Sequence, residues 1–140
     1  MTTATSPSPA LQAPRSPGKA LNVALWVFQV LLAAMFFLAG GNKLGGNAQM
    51  VGLFEVIGIG QWFRYLTGGL EVLGAAALLI PRLSGAGAAL LVPVMLGAVA
   101  THLAVLHNSP AIPLALLAGL LFVAWGRRAQ LVALARRGGG

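Results

Sequence analysis

Four long apolar stretches, separated by short breaks rich in glycine, proline and charge, set the pattern of this chain. The first covers residues 21–41, with Gln29 as its only strongly polar interior position. The second covers 62–80, the third 85–106, and the fourth about 109–126. At 1.5 Å rise per residue, about 20 helical residues reach roughly 30 Å, the thickness of a bilayer's hydrocarbon core. The pattern predicts an all-α fold: a four-transmembrane-helix bundle with both termini on one side. A cleaved signal peptide would carry an apolar core of about 7–15 residues. The run from Leu21 to Ala39 is longer, so it reads as an uncleaved first span.

The breaks differ in kind. Residues 1–20 are Ser/Pro-rich and read as a disordered cytoplasmic tail. Residues 42–61 are not an ordinary polar loop, because Val51, Phe54, Val56, Ile57 and Ile59 are interspersed with glycines. Met50, Phe54 and Ile57 would share one face of a helix, which predicts an amphipathic or re-entrant segment between the first two spans. Trp62 and Tyr65 open the second span where an aromatic belt would lie. Pro93 removes a helical donor from the third span and predicts a kink there. Residues 21–127 form the membrane domain on this reading, and 128–140 a basic, Gly-ended cytoplasmic tail. Small residues recur through the spans, as in Gly68-Gly69 and Gly74-Ala75-Ala76-Ala77, and permit close helix approach in lipid.

Composition supports a membrane location. Hydrophobic residues make up 58% of the chain and charged residues 8%, against roughly 25% charged in soluble domains. So few charges cannot cover a water-facing surface. The net charge is +7, but the basic residues sit at segment ends without interleaved aromatics. That distribution points to anionic headgroups at the cytoplasmic face and away from nucleic acid. The chain contains no cysteine, which excludes thiol–disulfide chemistry and thiolate metal ligation by this chain. With four spans, Arg15, Lys19, Arg82, Arg127, Arg128, Arg136 and Arg137 fall on one side, and Lys43 and Arg64 on the other. The excess of basic residues predicts both the N and C termini inside, in the cytoplasm.

The chain has two acidic residues, Glu55 and Glu71. Glu71 lies within an apolar span, where a charge costs at least about 2.5–3.5 kcal/mol unless it finds partners or water. Nine residues after Trp62, it sits about 13 Å deep on this topology. Arg64 lies seven residues earlier, on the same helical face. Lys43 follows the first span, and His102, near the end of the third, sits about 6 Å below the same edge. These groups converge in the outer half of the bundle, while the inner half reads as almost wholly apolar. Glu71 reads either as a helix-to-helix anchor paired with Lys43 or Arg64, or as a proton or ligand site. His102 and Gln29 read either as packing polar groups or as members of that site. His102 and His107 make a weak metal pair, with no carboxylate nearby in the chain, so no metal site is expected.

The order of motifs resembles the DoxX-like family of small four-helix bacterial membrane proteins. The first span ends in Ala39-Gly40-Gly41-Asn42-Lys43-Leu44, matching the family's AG-x-x-K-L element. Gly69-Leu70-Glu71-Val72-Leu73-Gly74 follows, and then Met95-Leu96-Gly97-Ala98-Val99-Ala100-Thr101-His102. The resemblance covers about Leu21 to Arg127. It implies a four-helix bundle in the bacterial cytoplasmic membrane. It also implies relatives that are subunits of a thiosulfate:quinone oxidoreductase or associate with redox-stress partners.

Three functions follow as expectations. The first is an accessory or scaffold subunit whose outer-half polar cluster holds the bundle together or docks a partner, a redox protein being the candidate. The second is a quinone-linked oxidoreductase subunit. There Glu71 or His102 exchanges a proton and Lys43 or Arg64 orients a quinone carbonyl. The third is a small-solute or proton transporter, which the apolar inner half disfavours. Catalytic residues are not assigned, and quinone is the one cofactor considered.

Overall fold

The computed structural model describes residues 17–138. The expected N-terminal tail, Arg15 included, thus lies almost wholly outside the described residues, as do the last two glycines. Among the described residues there are six helices and no strand: α1 (Lys19–Leu44), α2 (Ala48–Ile57), α3 (Gln61–Leu79), α4 (Ser84–Ala104), α5 (Ala111–Gly126) and α6 (Arg128–Gly138). α1 and α4 are each long and apolar enough to cross a membrane. The pair α5 and α6 passes the same test together, although it bends by 67° at Arg127. α3 has the length, but Arg64, Tyr65 and Glu71 make it more polar.

Each long helix buries a stripe at helical spacing. On α1 it is Leu25, Gln29, Leu32, Ala33, Phe36 and Gly40. On α3 it is Arg64, Gly68, Glu71, Gly74, Ala75 and Leu78. On α4, Ser84, Ala88, Leu91 and Met95 repeat every three or four residues. These stripes close a ring in which α1 packs on α3, α3 on α4, α4 on α5, and α5 back on α1. The shared core is Leu32, Ala33, Phe36, Leu78, Leu91 and Leu120, with their small neighbours. The outward faces are also apolar. Val27, Leu31 and Leu38 on α1, Leu73 on α3 and Leu121 on α5 are all exposed. An apolar surface around a bundle suits lipid, because the backbone is satisfied within the helices and the side chains need no water.

Two features differ from the sequence reading. α1 continues through Gly40-Gly41-Asn42 to Leu44, three residues beyond the expected end. Helical geometry persists there because Gly40 lies in the packed stripe facing α3. Pro93 lies inside α4, as the third span requires. The basic segment after Arg127 is helical, with Leu131, Val132 and Leu134 spaced between arginines, and no residue of it is buried. The connection between α1 and α3 does contain a short helix. Asn47 caps α2, its side chain accepting from the Gln49 amide at 2.9 Å. Gly58, at φ 80°, ends α2 in the left-handed conformation that favours glycine. Phe54 is buried, with its ring 5.9 Å from that of Phe63, and Met50 and Ile57 are half-buried on the same face.

Candidate functional site

The site begins with two glycines. A Cβ on Gly40 would sit 2.8 Å from the Gly68 carbonyl oxygen, and one on Gly68 would sit 2.9 Å from Lys43 Cβ. α1 and α3 therefore touch backbone to backbone, as small residues allow in a bundle without water. One helical turn past each contact lie Lys43 and Glu71. Lys43 Nζ donates to Glu71 Oε1 at 3.0 Å and to Oε2 at 2.9 Å. The carboxylate side chain is 3% exposed and the lysine 15%. Of the partners the sequence offered for Glu71, the structure shows Lys43.

Arg64 does something else. It is buried, yet its Nη1 donates to the Lys43 carbonyl oxygen and its Nε to Gln61 Oε1 at 2.7 Å. Its guanidinium lies 4.3 Å from the centre of the Tyr65 ring. The last carbonyls of a helix lack internal donors and carry partial negative charge. Arg64 thus caps α1 and fixes the turn that carries Lys43. Glu55 is exposed on α2, and His107 is exposed in the α4–α5 connection with φ 51°.

His102 is half-buried on α4, with its Nδ1 2.8 Å from the Ala98 carbonyl oxygen. A carbonyl only accepts, so Nδ1 carries the proton in that contact, and the neutral ring offers Nε2 as an acceptor. Lys43, Glu71, Thr67, Thr101 and His102 are polar residues in the wall of one cavity of about 520 Å³. The remaining wall is dominated by apolar side chains from α1 to α5, such as Phe36, Phe54, Pro93 and Met95. A volume of a few hundred Å³, mostly apolar with a few convergent polar groups, is the usual form of a small-molecule site. Among the described residues, no group of three His, Asp or Glu stands close enough to hold a metal ion.

Gln29 stands apart from this cavity. It is fully buried, and its Nε2 donates to the Leu78 carbonyl oxygen at 2.8 Å. Leu78 is the penultimate residue of α3, so its carbonyl has no donor within the helix. Gln29 Oε1 accepts from Arg127 Nε at 2.8 Å, and Arg127 Nη1 donates to Asn22 Oδ1 at 2.8 Å. The half that reads as apolar in sequence therefore holds a second buried polar cluster. Arg127 read as the last residue of the membrane domain and one of the basic residues of its cytoplasmic edge, because it follows the last apolar residues. The only sequence signal was its place directly after Gly126, where a missing Cβ lets Leu25 of α1 pack against α5.

Apolar-faced helices enclosing an ion pair are the construction of a membrane protein. The chain belongs to the DoxX-like family, whose model matches residues 27–125. That range contains Gln29, Lys43, Arg64, Glu71 and His102, and stops short of Arg127. Among curated proteins and among solved structures, no match was found.

Proposed function

We propose that this protein is an accessory subunit of the bacterial cytoplasmic membrane that holds the polar head of a membrane-soluble amphiphile. A quinone is the class that suits the cavity. α1, α3, α4 and α5 are the four spans, with both termini in the cytoplasm. The charge distribution supports that orientation. Lys19, Arg82, Arg127, Arg128, Arg136 and Arg137 lie at one end of the bundle, against Lys43 and Arg64 at the other.

The observation that carries the reading is the cavity of about 520 Å³ with Lys43, Glu71 and His102 in its wall. The Lys43 ammonium can donate to a quinone carbonyl. Glu71 and His102 Nε2 can accept from the hydroxyls of the reduced form. The apolar remainder takes the ring face and the start of an isoprenoid tail. Electron transfer belongs to a partner protein on this reading, since the chain has no thiol for redox chemistry.

A scaffold role without ligand is the second reading. It is favoured by Lys43 Nζ meeting both Glu71 oxygens, which pairs the two charges with nothing bound. Transport fits less well. The core of Leu32, Ala33, Phe36, Ala75 and Leu78 lies between the Glu71 and Gln29 clusters along both α1 and α3.

Titrating the purified chain with a short-tail quinone in its reduced, quinol form, kept free of oxygen, by calorimetry in detergent, separates the two readings. Binding by the wild type is expected. Glu71→Gln and His102→Leu should each weaken it about tenfold, the worth of roughly one hydrogen bond in a dry site. No binding by the wild type, or binding that neither substitution alters, supports the scaffold reading.

A further inference from the structure

We propose that the elbow between α5 and α6 binds a phosphate group, with Arg127 as its anchor. This site is separate from the cavity and stands whether or not the cavity takes an amphiphile.

Arg127 is 8% exposed, and the side chains it bonds are neutral. Gln29 and Asn22 each accept one hydrogen bond from it, and the Trp26 ring lies 5.7 Å from its guanidinium carbon. None of these groups cancels the charge. The chain has two acidic side chains; Glu71 is held by Lys43, and Glu55 is exposed on α2 near the other end of the bundle. Arg127 Nη2 is buried and has no acceptor among the described residues. A buried guanidinium without a counter-charge, and with one nitrogen unmet, is costly unless an anion joins it.

The space for that anion is adjacent. A pocket of about 320 Å³ is lined by Pro17, Asn22, Gly126, Arg127, Ala129 and Gln130. α6 begins at Arg128, so the pocket also lies at a helix N-terminus; the Gln130 amide is taken by the Arg127 carbonyl oxygen at 2.9 Å, which leaves the Arg128 and Ala129 amides to favour an anion. Gln130 holds the elbow in place. Its Oε1 accepts from the Gly85 amide at 3.0 Å and the Ser84 hydroxyl at 3.1 Å, and its Nε2 donates to the Pro81 carbonyl oxygen. α6 is thereby tied to the α3–α4 turn, and the N-terminal end of α1 faces it across the pocket.

The setting favours a phosphate carried by lipid. The chain bends by 67° at Arg127. Exposed Trp125 lies beside it with the Arg128 guanidinium carbon 4.9 Å from a Trp125 ring, a pairing suited to the headgroup level. A free phosphate shares the chemistry and is distinguished by the test.

The test is the thermal midpoint of the full chain in detergent, with three additives. These are phosphatidylglycerol, diacylglycerol with the same acyl chains, and inorganic phosphate. Phosphatidylglycerol should raise the wild-type midpoint and diacylglycerol should not. Arg127→Gln, and Ala129→Leu, which fills the pocket without touching the Arg127 bonds, should each weaken the response at least about tenfold, the worth of one charge-assisted hydrogen bond. Replacing Arg136 and Arg137 by glutamine should leave the response in place. A shift with inorganic phosphate assigns the site to a soluble anion, and its absence assigns it to the lipid headgroup. The proposal is overturned if neither phosphate source shifts the wild type. It is also overturned if Ala129→Leu responds as the wild type does, or if the Arg136/Arg137 variant loses the response. Should Arg127→Gln fail to fold, Ala129→Leu decides alone.

Discussion

Gly68→Leu should unfold the bundle or leave it barely stable, whereas Gly69→Leu, one residue away, should be nearly silent. A Cβ at Gly68 meets Lys43 Cβ at 2.9 Å, the Gly40 carbonyl oxygen at 3.1 Å and Leu44 Cγ at 3.2 Å. Two of these neighbours are fixed by the α1 backbone, so relief requires moving the helix. Overpacking of this kind costs about 1–3 kcal/mol, and more where backbone is the obstacle. Pushing α1 off α3 also draws Lys43 away from Glu71 and opens the cavity wall, so the losses compound. Gly69 has nothing within 4 Å of its Cβ position, and a surface substitution there should change stability by less than about 0.5 kcal/mol. Thermal unfolding of the two variants in the same detergent checks the contrast. Equal midpoints would mean that the α1–α3 crossing is not where the structure puts it.

Lys43→Met should destabilise strongly, and adding Glu71→Leu should restore most of the loss. Removing one partner leaves the other as a lone buried charge, which costs about 3–5 kcal/mol, while replacing a buried pair with apolar side chains is often neutral. Glu71 is the more enclosed member, so it suffers more when left alone. Denaturation midpoints of the single and double variants are the readout. If the two losses simply add, the residues do not act as a pair.

Both predictions rest on features of different legibility. The apolar stretches were readable because their length matches a bilayer. The importance of Glu71 was readable by elimination, in a chain with two acids. Lys43 as its partner was one of two choices; the phase of α1 against α3 decides it, and the Gly40–Gly68 contact sets that phase. Arg64 lies on the Glu71 face, as spacing implies, yet it turns to the end of α1, where open carbonyls outbid an occupied carboxylate. Gln29 was readable as buried, but not as distant from Glu71, because depth along the bundle depends on where α3 ends. Arg127 was hidden for a similar reason. An arginine closing an apolar run reads as a charge at the membrane edge, and only the turn into α6 folds it back onto α1.

The central claim is that the space beside the Lys43–Glu71 pair exists to hold an amphiphile. Native mass spectrometry of the full chain, released from bacterial membranes, tests it directly against Ala98→Phe. Ala98 lines the cavity on α4, and the ion pair is held by Lys43 and Glu71 alone, so phenylalanine fills the space without removing either partner of the pair. The account predicts a neutral amphiphile bound to the wild type at close to one per chain and lost from Ala98→Phe, with the fold retained. A wild type that carries no such molecule, or an Ala98→Phe chain that carries it equally, would contradict the account.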